Sequence, residues 1–169
     1  MMEKHLSVYQ SNWENKEKSF LNLVNEIFCD NFWPEGKYVV YLTIWGIFPR
    51  FLEDSTFQVP YKYKNQKYIN VIIAHEMLHF VFHNYFYQKY PQYKQNEHNF
   101  FVWHISEIFN VIVQNSSKWL KIFEVKTMDY PEHREIIGIL KSKYNVKDVW
   151  KVDDLIENIA ELVKDSNLA

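Results

Sequence analysis

Apolar residues recur along this chain at two periods, and the changes of period mark out its elements. Over residues 5–30, Leu6, Tyr9, Trp13, Phe20, Leu23, Val24 and Ile27 return at spacings near three and four with charges between them, which predicts an amphipathic helix. Pro34, Glu35 and Gly36 end that pattern. Residues 38–48 are rich in β-branched and aromatic side chains, the composition of a strand. A second strand is expected within residues 50–63, joined to the first around Phe48 and Pro49. The helical period returns from Tyr68 to about Tyr90, where Pro91 stops it. After a polar loop over residues 92–97, it returns again from His98 to about Asn115. Pro131 suits the first turn of a helix reaching Tyr144. A last helix is expected over residues 152–164, with Asp153 and Asp154 favourable in its first turn. The reading is a single α+β domain over residues 1–169: a small antiparallel or mixed sheet packed on helices, with a helical C-terminal part, about 131–165, packed on the rest.

The missing charges are a second signal. From residue 68 to 88 the one charged side chain is Glu76, and from 98 to 117 it is Glu107. A surface helix carries several charges on its outer face, so both helices are expected to be mostly buried, each with a single carboxylate. Such a carboxylate costs several kcal/mol unless a cation or strong donors compensate it. Long charge-poor runs also suggest membrane spans. Here His75, His79 and His83 interrupt the first run, and His104, Asn110 and Gln114 the second, which argues for burial in protein and against a membrane partner.

Composition narrows the function. A hydrophobic content of 47% with 18% aromatic residues excludes disorder for the bulk of the chain. A net charge of −2 with scattered basic residues gives no footprint for nucleic acid. Only 3 glycines disfavour phosphate-cradling loops. The single cysteine, Cys29, excludes an internal disulfide and any cysteine-built metal site. The first residues lack the apolar stretch of a signal peptide, so a cytoplasmic location is expected.

The most specific chemistry lies in His75-Glu76-Met77-Leu78-His79. Two histidines four apart sit about 40° from each other around a helix, one turn apart, so both imidazoles reach one ion. Glu76 is rotated by about 100° from its neighbour. It cannot ligate the same ion in the same way, but it is placed to act as general base on a metal-bound water. This string occurs by chance; here its middle and flanks are uncharged and mostly apolar, as a buried site requires. With no thiolates, the ligands must be imidazole and carboxylate. His83 is set aside as the third ligand because it stands about 12 Å from His75 along the helix axis. Glu107 is preferred: it shares a polar stripe of about 120° with His104, Asn110 and Gln114 on an otherwise apolar helix. His104 or Asn110 would orient Glu107 or a ligand histidine. Glu97, Glu124 and Asp129 lie in polar or loop contexts and are the weaker alternatives.

With these residues in place, the chain resembles the gluzincin group of zinc metallopeptidases, above all its small minimal members, the minigluzincins. The resemblance covers mainly residues 38–115. It implies a zincin-like fold in which an active-site helix with both histidines precedes a glutamate helix. Zinc would be held by His75, His79 and Glu107, with Glu76 as the catalytic base and a peptide or protein as substrate. It also implies that an edge strand within residues 50–63 receives the substrate backbone. Many gluzincins carry a carboxylate four residues after the ligand glutamate, where this chain has Val111. For the tyrosine or histidine that commonly stabilises the oxyanion, the candidates are Tyr85, His104, Tyr130 and His133. Two other functions compete with peptide hydrolysis. One is a non-proteolytic or latent zinc protein acting through a partner. The other is a metal-free helical interaction protein.

Overall fold

The computed structural model describes residues 2–29, 32–94, 99–144, 151–166 and 168. Among them the chain is α+β and mostly helical, with six α-helices and a three-stranded mixed sheet. The first helix, α1, spans Met2–Phe28; its expected end at Asp30 lies outside the described residues. Tyr9, Phe20, Leu23, Val24 and Phe28 are its buried side. Phe20 is central, with ring centroids 5.3–6.2 Å from those of Trp13, Trp33, Trp119 and Phe123, all edge-on, the arrangement the aromatic quadrupole favours.

The sheet departs from the expected pair of strands. Strand β1 covers Val39–Thr43, β2 only Arg50–Phe51, and β3 Thr56–Pro60. Their order is β1-β3-β2, with β1 parallel and β2 antiparallel to β3. The strand expected over residues 38–48 therefore stops at Thr43, because parallel pairing obliges the chain to leave β1 and return beyond β3. The turn is local: Trp45 donates its backbone N–H to Thr43 Oγ1 at 3.1 Å. Residues 44–49 leave the sheet, so Ile44, Trp45 and Ile47 are exposed despite their strand-like composition. The inner face of β3, Phe57 and Val59, is fully buried, with Phe57 6.1 Å from the Phe80 ring.

Helix α2, Gln66–Lys89, begins where Asn65 accepts the Lys67 N–H. It ends before a 3-10 turn at Pro91–Tyr93, because proline has no N–H to continue the ladder. Helix α3, Phe100–Gln114, is capped by Asn99, whose side chain accepts from Phe101 and Val102; the expected start at His98 lies outside the described residues. Both helices are buried over most of their length. Helix α4, Ser117–Phe123, was not apparent from the pattern; it is capped by Ser116 and buries Trp119 and Phe123. The helix expected at Pro131 starts as a 3-10 turn, Pro131–His133, and becomes α5, Arg134–Tyr144.

Helix α6, Val152–Asp165, lies against α3 and α5. Val152, Leu155, Ile156, Ile159 and Val163 are buried, so its apolar stripe is covered by the chain itself. Replacing Leu155, which is fully buried, by alanine is expected to destabilise the protein by about 2–5 kcal/mol. Urea unfolding followed by circular dichroism checks the value.

Candidate metal centre

Three side chains from two helices converge where α2 crosses α3. His75 Nε2 lies 3.3 Å from Glu107 Oε2 and His79 Nε2 3.3 Å from Glu107 Oε1. The two imidazole Nε2 atoms are 3.1 Å apart. A tetrahedral ion with bonds of about 2.0–2.1 Å separates its ligand atoms by about 3.3–3.4 Å. The triangle of nitrogen, nitrogen and oxygen thus has close to the edge length that such an ion imposes. Among the described residues it is the group of histidine and carboxylate side chains able to hold a metal ion. The residues present fit an ion that takes imidazole and carboxylate ligands; which ion is a separate question.

The neighbouring contacts explain why the triangle forms. Gln114 donates its amide N–H to the Val71 carbonyl at 3.3 Å, which turns its oxygen toward His75 Nδ1 at 2.8 Å. His75 must then donate from Nδ1, which makes Nε2 the nitrogen turned toward Glu107 and toward any cation held there. Asn110 donates to the His75 backbone carbonyl at 3.3 Å. Reading along α3, Glu107, Asn110 and Gln114 meet His79, His75 and Val71 in turn, so the two helices run antiparallel and share one register.

Glu76, also buried, points to the same charge cluster through Arg50. Arg50 on β2 places Nη1 3.4 Å from Glu76 Oε2 and Nη2 3.3 Å from Glu107 Oε1. Burial pushes the Glu76 carboxyl up from its ordinary value, only partly offset by His75 and Arg50. Burial also opposes the charged form of Glu107, but the two imidazoles prevail and hold it well below the usual carboxylate range. At His75, burial is outweighed by Glu107 and Glu76, and the imidazole is raised. At His79, burial and then the Arg50 charge hold the imidazole well below its ordinary value.

The other candidates lie elsewhere. His83 stacks on His79 with ring centroids 6.1 Å apart, and burial lowers its pKa to about 3; it is not among the converging ligands. Of the two residues expected to orient Glu107 or a ligand histidine, Asn110 contacts His75, through its backbone carbonyl, and His104 does not take that place. The Nδ1 of His104 pairs instead with His133 Nε2 at 2.8 Å in a buried contact. Glu124 pairs with Lys67, and Asp129 with Arg134, both at the surface; Glu97 lies outside the described residues. Tyr85 is bonded to Asp153. Tyr130 is 44% exposed and packs against Trp103 and His133; burial, and after it the charge of Glu107, raises its phenol.

Sequence reasoning missed Arg50 and gave Gln114 no role. A signal for Arg50 existed, since it is the single charge between Lys37 and Glu53. No helix among the described residues is long and apolar enough to cross a membrane. No protein-family model, curated protein or solved structure matches the chain. Replacing Gln114 by leucine is expected to weaken metal binding by about 10–100-fold, because His75 loses its fixed tautomer. Competition against a chromophoric chelator measures the change.

Proposed function

We propose that the chain is a zinc-dependent peptidase resembling the gluzincins, with His75, His79 and Glu107 as ligands and Glu76 as general base. The observation that carries this reading is the 3.1–3.3 Å triangle of ligand atoms, with Glu76 one residue from a ligand and tied to the same arginine as Glu107. A set of two imidazoles and one carboxylate suits zinc with a fourth position open to water.

Bound zinc supplies a Lewis acid that polarises water and the scissile carbonyl. The remaining work belongs to the chain. Glu76 takes a proton from the attacking water and delivers it to the leaving amine, a task suited to a carboxyl raised by burial. Gln114 keeps His75 in the ligating tautomer. Tyr130, in the field of Glu107, is the proposed hydrogen-bond donor to the oxygen on which negative charge develops. Strand β2 pairs with β3 on one side and, among the described residues, with no strand on the other, which is the edge proposed to receive an extended peptide backbone. Its residue Arg50 touches both carboxylates, which brings that edge beside the reacting groups.

The test separates chemistry from ligation. Glu76→Gln is expected to retain stoichiometric zinc while lowering cleavage of a fluorescent casein by at least about 100-fold. His79→Ala is expected to lose the metal. Metal analysis of the purified proteins alongside the assay decides both; full zinc content in His79→Ala would refute the ligand assignment.

A further inference from the structure

The proposed zinc site is also contacted by a cation that the chain itself provides. Arg50 reaches Glu76 with one guanidinium nitrogen and Glu107 with the other, at 3.4 and 3.3 Å. The arginine side chain is 17% exposed, and those of Glu76 and Glu107 are 8% and 3% exposed. A planar fork is the shape that can serve two carboxylates at once, which a lysine ammonium does not reproduce. The oxygen it takes on Glu107, Oε1, is the one that also faces His79 Nε2. An ion ligated by His79 and Glu107 therefore meets the guanidinium at a shared oxygen, in a buried place where like charges are weakly screened.

We infer that Arg50 is a tethered competitor of the metal ion: it holds Glu76 and Glu107 as counter-ion, and metal loading requires it to withdraw. The inference rests on the metal reading above and adds its regulation. The element bearing Arg50 is suited to withdrawal. Strand β2 has two residues, pairs among the described residues on one side only, and follows an exposed segment carrying Ile44, Trp45 and Ile47. Segments with so few buried contacts open at little cost compared with the core. While Arg50 is engaged, the ligand Glu107 and the proposed base Glu76 are both restrained. One arginine thus governs metal entry and the freedom of the base together.

The experiment measures zinc affinity of the full chain by chelator competition, for the unaltered protein and for Arg50→Gln and Arg50→Lys. Arg50→Gln is expected to bind zinc about 10–100-fold more tightly, the range over which groups around a ligand set tune affinity. Arg50→Lys, still charged but unable to fork, is expected to fall between and keeps the test open should the glutamine variant fold poorly. Thermal melting provides an independent reading. Without zinc, Arg50→Gln is expected to melt several degrees below the unaltered protein, since two buried carboxylates lose their counter-ion; saturating zinc is expected to close that gap. Equal or weaker zinc binding by Arg50→Gln would overturn the competitor role while leaving the metal site standing. Absence of zinc binding in all three proteins would remove the metal reading itself, and this inference with it.

Discussion

The negative charge of Glu107 is the constraint around which the centre of this protein is arranged. Its side chain is 3% exposed, and an ion so deeply buried costs several kcal/mol unless donors surround it. The donors come from two other elements: His75 and His79 on α2 and Arg50 on β2. The apolar faces of α2 and α3, with Phe82 5.1 Å from Phe109, supply the driving force for packing. Apolar packing is tolerant of register, whereas a buried carboxylate facing the wrong turn would go unpaired. Glu107, Asn110 and Gln114 meet α2 at successive turns, and this ladder selects one alignment of the helices.

The sheet serves the same centre through its unusual order. Because β3 lies between β1 and β2, the chain crosses the end of β3 before forming the two-residue edge strand. This crossing has two consequences. It leaves Ile44, Trp45 and Ile47 exposed, and it aims Arg50 from the sheet's edge toward α2 and α3. A simple hairpin between the first two strands would pair β2 with β1 and remove Arg50 from the carboxylates. The topology and the electrostatics are therefore one arrangement.

Much of this was legible in the sequence, for identifiable reasons. Helices α1, α2, α3, α5 and α6 follow from helical periodicity and proline stops. Glu76 and Glu107 stood out because each is a lone charge in an apolar run. Arg50 is likewise the single charge between Lys37 and Glu53, but its β-branched and aromatic neighbours report strand composition and not what its side chain meets. The split of residues 50–63 into β2 and β3 was not legible, because alternation does not report where a strand turns back. Helix α4 has seven residues, too few for a period to register. His104 lies in the polar stripe of α3, yet its partner is His133, 29 residues onward; no local pattern reveals that pairing. Gln114 could be placed on the stripe, but its role depends on the Val71 carbonyl across the helix interface.

The charge balance explains why the two histidines differ although they share one ligand set. Glu76 and Glu107 bring two negative charges into the cluster, and Arg50 answers one of them. The remaining negative charge favours the charged form of the imidazole that faces it most directly. That is His75, whose ring hydrogen-bonds both Gln114 and Glu107 and which is raised accordingly. His79 is wholly buried and feels Arg50, so its imidazole is held well below the ordinary value. A divalent cation held by His75, His79 and Glu107 would answer that same negative charge, with His75 Nε2 as one of its ligand atoms. The same excess charge that arginine leaves uncompensated is thus what makes the triangle receptive to a metal ion.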